Sequence, residues 1–236
     1  MTSRSQVACA WIGFAGIAVL FVGMLIAGYI PAPAAYLSAE ELAAHYRGHE
    51  FSVRLGVLFI IIGCVGWLTV VAASWVQLRR VTGRGSALPA VHALAGVAAY
   101  TFLSLFGVLL AAAAFRPERN PEITQMLHDI GWFMAFLAAP PFVTQALASG
   151  AAILGDRSTA PAYPRWLGWA GVWVGLALIP GDILLFFQHG PFAYHGIISY
   201  WIPLFAFGGW WILLAVGVLG AAKSAEAEKS TEHAEA

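Results

Sequence analysis

Apolar residues fill six stretches of this chain almost without interruption, and nearly every charged residue lies in the connections between them. The stretches are Val7–Ile30, Leu55–Leu78, Pro89–Phe115, Ile130–Leu154, Trp166–Phe187 and Ile197–Ala222. A run of about 20 apolar residues crosses the hydrocarbon core of a bilayer as a helix, because a helix satisfies its backbone hydrogen bonds internally. The pattern predicts an all-α, polytopic bundle of six transmembrane helices over residues 1–222. The remainder, 223–236, is rich in Ala and Glu and reads as a disordered or frayed helical tail.

Five of the stretches contain no Asp, Glu, Lys or Arg, whereas the fifth contains Asp182. Stopping that span at Gly181 leaves roughly 24 Å of helix, which is short for a crossing. The helix is therefore predicted to run through Asp182 to Phe186 and Phe187. Pro140 and Pro141 predict a kink in the fourth span and Pro180 one in the fifth, with Thr144 and Gln145 placed to partner the freed backbone groups. Small residues offer close helix contacts at Gly13 and Gly16, Gly63 and Gly66, Gly171 and Gly175, and Ala111–Ala114.

Charge asymmetry predicts direction. With the N-terminus in the cytoplasm, the inner side receives Arg4, Arg79, Arg80, Arg84, Arg157, Arg165, Lys223 and Lys229, and the outer side only Arg47, Arg54, Arg116 and Arg119. Positive charge concentrates on the cytoplasmic side of membrane proteins, so both termini are expected inside, in a bacterial cytoplasmic membrane. Ala32-Pro33-Ala34 loosely resembles a signal-peptide cleavage site. The apolar run before it is longer than the 7–15 residues of such a peptide, so an uncleaved first span is expected.

Composition narrows the classes further. Only 10% of residues are charged and Lys plus Arg equals Asp plus Glu, so no basic surface points to nucleic acid. Cys9 and Cys64 lie in apolar runs without a CxxC spacing, which reads as packing rather than disulfide or metal chemistry.

On the expected outer side, Ser38 and Glu41 have capping-box spacing and predict a short helix carrying His45, Tyr46, His49 and Glu50. His45, His49, His128, His189 and His195 all map to that side, with Asp182 just inside the apolar layer and Arg54 and Arg116 near it. His45 and His49, at i and i+4, have the spacing of two ligands on one metal, and Glu50, Asp129 or Asp182 would complete a zinc, iron or copper site. A single haem held by two of His49, His128, His189 and His195 is a second possibility. Asp182 is expected to face a partner such as Arg54 or Arg116, or a ligand, since an unpaired carboxylate in hydrocarbon is costly. Trp67, Trp173, Trp210, Trp211, Phe136, Phe142 and Tyr100 are either packing and lipid-facing groups or the lining of an apolar pocket.

The segment Ala114-Phe115-Arg116-Pro117-Glu118-Arg119-Asn120-Pro121-Glu122, with Leu127-His128-Asp129, resembles a family of uncharacterised bacterial integral membrane proteins of about this length. So do Pro180-Gly181, Phe186-Phe187-Gln188-His189-Gly190-Pro191-Phe192-Ala193-Tyr194 and Tyr200-Trp201-Ile202-Pro203. The resemblance implies a six-helix fold and no particular activity. In that family the positions of His128, His189 and His195 commonly carry other polar residues and Asp182 is atypical, which points to Arg116–Glu122 and the Gly190–Tyr194 turn as the shared features.

These features favour an integral membrane protein with an outward-facing pocket for a hydrophobic small molecule or lipid. Arg116, Glu118, Arg119, Glu122, Asp129 and Asp182 would form its mouth, and Trp173 and Trp210 would line it. Binding, carriage and modification of the ligand all fit the sequence. A metal- or haem-dependent oxidoreductase using the outer histidines, a small transporter, and a non-catalytic subunit of a larger membrane complex are the alternatives. Membrane lipids are the expected surroundings in every case.

Overall fold

In the computed structural model, which describes residues 3–235 apart from Arg84, Ala138 and Ala160, with side chains described as far as Ser224, each apolar stretch is mostly helical. Among the described residues eight α-helices follow in order: α1 Ser3–Ile26, α2 Ala39–Gly48, α3 Glu50–Thr82, α4 Leu88–Phe115, α5 Pro121–Phe136, α6 Ala139–Leu154, α7 Arg165–Leu178 and α8 Ile202–Glu235. A 3-10 run over Ile179–Phe186 extends α7, and a π-helical turn over Ile197–Trp201 leads into α8. Among the described residues, six helical units are long and apolar enough to cross a membrane: α1, α3, α4, α5 with α6, α7 with its 3-10 extension, and the π turn with α8. The six-span reading of the sequence therefore holds, and the protein is a multi-pass membrane protein. Residues from 223 on continue α8 as helix to Glu235. Arg84, counted above among the inner charges, lies outside the described residues.

The short helix α2 begins as its sequence dictates. The Glu41 amide N–H donates to Ser38 Oγ, and Glu41 Oε2 accepts from the Ser38 amide at 2.9 Å. This reciprocal pair satisfies amide groups that the first turn leaves without intrahelical partners. His49 and Glu50 do not belong to α2, however: His49 caps its C-terminus and Glu50 opens α3.

The most extensive helix pairing joins α1 to α3. It depends on glycines that meet backbone to backbone. A Cβ added to Gly16 would lie 2.7 Å from both the Gly63 carbonyl oxygen and Gly66 Cα, and one on Gly63 would lie 2.6 Å from the Gly16 carbonyl oxygen. At that separation Thr69 Oγ1 on α3 also donates to the Cys9 carbonyl of α1, at 2.9 Å. In a bilayer, where helices gain nothing by hiding apolar surface from one another, this close packing supplies the association energy. A second glycine seam joins α6 to α7, where a Cβ on Gly150 would meet the Gly168 carbonyl oxygen at 2.8 Å.

Arg54 and Arg119 close the end of α4. Arg54 Nε donates to the Ala114 carbonyl at 3.1 Å, its second nitrogen donates to the Phe115 carbonyl at 2.8 Å, and Arg119 donates to the Ala112 carbonyl at 3.1 Å. These carbonyls lack intrahelical partners, and cations there also suit the helix dipole. Arg54 additionally pairs with Glu50 at 2.7 Å. Of the two arginine partners considered for Asp182, Arg54 is not bridged to it, because the guanidinium is committed to the α4 terminus and to its own helix.

Candidate functional site

Three interruptions of helical geometry meet in the half of the bundle that carries α2. In the fourth span α5 ends at the Leu137 turn and α6 begins at Ala139, just ahead of Pro140 and Pro141; the fifth tightens to 3-10 at Ile179–Phe186, around Pro180; the sixth starts as a π turn at Ile197–Trp201, ahead of Pro203. Proline explains each locally, since it lacks an N–H and clashes with the preceding turn. Non-helical backbone at membrane depth is tolerated where protein buries it or where it lines a cavity.

Here it lines one. Phe136 and Ala139 flank the first break, Leu178 and Gly181 belong to the second, and Tyr200 and Pro203 to the third; all six line a single cavity of about 80 Å³. Leu20, Phe21 and Met24 of α1, Leu103 and Phe106 of α4, and Trp132, Phe142 and Phe207 complete most of its wall. Every lining side chain is buried or half-buried, and no formally charged residue is among them. Phe142 and Phe207 form an edge-to-face pair, centroids 4.6 Å apart, and both pack on Trp67, which donates its indole N–H to the Gly96 carbonyl at 2.9 Å. This aromatic layer is the cavity floor.

Trp132 is the roof. It lies stacked between Phe136 and Tyr194, at 5.7 and 5.9 Å, and meets the edges of Tyr29 and Tyr200. Behind it runs a chain of buried polar rings. The Tyr29 and Tyr46 hydroxyls are 3.2 Å apart, and the Tyr46 hydroxyl is 2.8 Å from His128 Nδ1. Tyr200 donates to the Tyr29 carbonyl, and Tyr194 donates to Asp129 Oδ1 at 3.3 Å. Burial pushes the Tyr46 and Tyr194 hydroxyls well above the usual phenol range, so both are neutral at physiological pH. The cluster ties α2 to α5 and to the segment before the π turn.

The five histidines expected on the outer side do not gather. His128 is buried against Tyr46. His45 and His49 sit together, centroids 4.8 Å apart, with His49 Nδ1 3.0 Å from the His45 carbonyl oxygen. His189 stacks on Tyr36, and His195 meets the same ring edge-on while its Nδ1 accepts from the Ala35 amide at 3.0 Å. Partial burial, and in each case a neighbouring histidine, holds His45 and His195 below the usual imidazole range. Among the described residues no three His, Cys, Asp or Glu side chains are close enough to share a metal ion. The multi-ligand centre expected from sequence is thus dispersed: His128 is drawn into the bundle, His45 and His49 sit at the end of α2, and His189 and His195 lie between the 3-10 run and the π turn.

The expected pocket mouth is also redistributed. Arg116, Glu118 and Glu122 are exposed and Arg119 caps α4, so the Arg116–Glu122 segment serves as a helix connection and none of the four lines the cavity. Asn120 supports that role by accepting from the Glu122 amide at the start of α5. Asp129 holds Tyr194, and Asp182, half-buried beside Gly181, leaves Oδ1 buried without a hydrogen-bond partner. Trp173 is 68% exposed on the lipid-facing surface, and Trp210 is 2% exposed inside the bundle but away from the cavity.

Trp210 belongs instead to a second polar network, below the aromatic floor. Its indole N–H donates to Gln145 Oε1 at 2.8 Å, and Gln145 Nε2 lies 2.9 Å from His92 Nδ1. Ser149 Oγ lies 2.7 Å from the same imidazole nitrogen and donates to the Gln145 carbonyl at 2.6 Å. An indole only donates, so Gln145 Oε1 is the acceptor and its amide nitrogen is the group turned to His92 Nδ1. Gln145 therefore links α4 and α8 through its side chain, rather than repairing the proline break as its position in the sequence implies. The one sequence signal for this network is the i, i+4 spacing of Gln145 and Ser149 in an otherwise apolar span.

The chain matches no known protein-family profile, no curated protein and no solved structure.

Proposed function

We propose that this membrane protein accommodates a hydrophobic small molecule or lipid chain in the cavity beneath Trp132. The observation that carries the proposal is the meeting of three helix breaks around one uncharged, aromatic-walled space. Broken helices cost backbone hydrogen bonds, and in membrane proteins they accompany binding sites built from irregular backbone. A space of 80 Å³ is about half that of an engineered apolar cavity that admits benzene, so it suits a narrow group such as an acyl or isoprenoid segment entering from the bilayer. The excess of Lys and Arg on one side supports placing both termini in the cytoplasm, which would put the cavity in the outer half of the membrane.

Native mass spectrometry from mild detergent tests this reading. Wild-type protein is expected to retain one hydrophobic molecule per chain, and Ala139→Leu, whose isobutyl group enters the cavity, is expected to lose it while keeping its fold. Equal retention by both proteins, or none by the wild type, would count against the proposal.

A further inference from the structure

At the opposite end of the bundle from α2, a polar groove of about 360 Å³ opens between the end of α3, the 155–164 connection and α8. Arg80, Asp156, Ser158, Thr159 and Ser224 supply its polar lining. Three of these stand at one level. Arg80, Asp156 and Ser224 each lie two residues past the last apolar residue of a span, Leu78, Leu154 and Ala222 respectively. Two residues of helix rise roughly 3 Å, so the groove sits where hydrocarbon gives way to lipid headgroups. The connection that forms one wall is anchored. Tyr163 is 2% exposed and packs so closely on α8 that a Cβ on Gly217 would lie 2.9 Å from its ring, and Asp156 Oδ1 accepts from the Ser158 amide at 2.9 Å.

The lining carries a cation and an anion together. A guanidinium has several N–H donors, so a partner of Arg80 within the protein leaves others for a phosphate. The Asp156 carboxylate keeps acceptor capacity beyond the Ser158 amide, and Ser224, whose hydroxyl donates to the Gly220 carbonyl at 3.3 Å, presents its lone pairs. From this pairing we infer that the groove holds the phosphoethanolamine headgroup of a membrane lipid, its phosphate on Arg80 and its ammonium on Asp156 and Ser224. Basic pockets between spans on the cytoplasmic side bind phospholipid headgroups, and Asp156 makes this one zwitterionic. The other cations at this end do not turn it into an anion site. Arg79 lies over the Trp75 ring at 4.9 Å, Arg165 donates to the Leu154 carbonyl at 3.4 Å, and neither they nor Arg157 and Lys223 line the groove. A phosphocholine head has the same charges but no N–H to give Asp156, and a phosphoglycerol head has no cation. The site is separate from the cavity beneath Trp132 and stands or falls independently of it.

The test is calorimetric titration of the full-length protein in detergent with short-chain phosphatidylethanolamine, phosphatidylcholine and phosphatidylglycerol, and with soluble glycerophosphoethanolamine. Wild type is expected to bind the ethanolamine lipid about tenfold more tightly than the other two lipids, the factor that one charge-assisted hydrogen bond supplies, and more tightly than the soluble headgroup. Asp156→Asn keeps an oxygen for the Ser158 amide but loses the charge, and should abolish the preference. Arg80→Gln should weaken all three lipids together. Ala139→Leu, which fills the cavity beneath Trp132, should leave the preference intact. Equal binding of the three lipids, tighter binding of the glycerol lipid, or a preference that survives Asp156→Asn would overturn the inference. Equal affinity for the soluble headgroup would overturn a lipid as its source, and loss of the preference in Ala139→Leu would move the lipid to the cavity. If a variant fails to fold, the wild-type series still decides, since it alone compares the three headgroups.

Discussion

Gly16→Leu is expected to destabilise the bundle strongly. The new side chain would enter a contact in which even a Cβ lies 2.7 Å from the Gly63 carbonyl oxygen and Gly66 Cα. Overpacking a core typically costs about 1–3 kcal/mol, because neighbouring side chains can yield. Here the obstructing atoms are backbone of α3, so the whole helix must move and the cost lies at or beyond the upper limit. A loss of about 3 kcal/mol corresponds to a midpoint lowered by roughly 6–12 °C for a chain of this size. Separation of α1 from α3 would also break the Thr69–Cys9 bond. Gly220→Leu is the control: nothing lies within 4 Å of a Cβ there, and the position is exposed on α8. Thermal unfolding in detergent should therefore show a large loss for the first variant and almost none for the second. Similar midpoints would contradict the backbone-to-backbone seam.

Gln145→Met is expected to have the second large effect, at nearly constant side-chain volume. Interhelical hydrogen bonds in membrane proteins average only about 0.6 kcal/mol, because the unfolded chain in lipid also finds partners. Gln145 differs from an average case in serving two helices at once, Trp210 on α8 and His92 on α4. Its loss orphans a donor-only indole in a position without access to water, so about 2–3 kcal/mol is expected from the two bonds together. The asymmetry of hydrogen-bond energetics supplies the check. Adding Trp210→Phe removes the orphaned N–H, and the double variant should recover stability relative to Gln145→Met alone. Simple additivity of the two losses would show that the network contributes no coupling.

Much of this architecture is written in the sequence because bilayer thickness and hydrogen-bond closure leave few alternatives. The six apolar runs, the Ser38–Glu41 cap, the glycine pairs of α1 and α3 and the proline breaks at Pro140 and Pro180 all follow from local rules. What hydropathy cannot encode is rotation about the helix axis. A span that is apolar all round gives no clue to which side meets lipid, so Trp173 and Trp210 look alike in sequence although one faces outward and the other holds Gln145. Topology likewise places His128 on the same side as His45 and His195. It does not reveal that Tyr46, 82 residues away in sequence, meets His128 inside the bundle. The charged residues of the Arg116–Glu122 connection attracted a ligand-binding reading because charge is scarce here, whereas in the structure Arg119 closes α4 and the uncharged Asn120 opens α5. The cavity itself arises from three breaks far apart in sequence, and only their convergence makes a site.

The central claim is that this convergence produces an apolar space able to admit a guest. Xenon is the most direct probe, being small, uncharged and attracted to dry apolar cavities. Crystals of the protein pressurised with xenon should show one strong site bounded by Trp132, Phe142, Tyr200 and Phe207, and Ala139→Leu should abolish it. Xenon density confined to the lipid-facing surface, or an internal site unaffected by Ala139→Leu, would contradict the account.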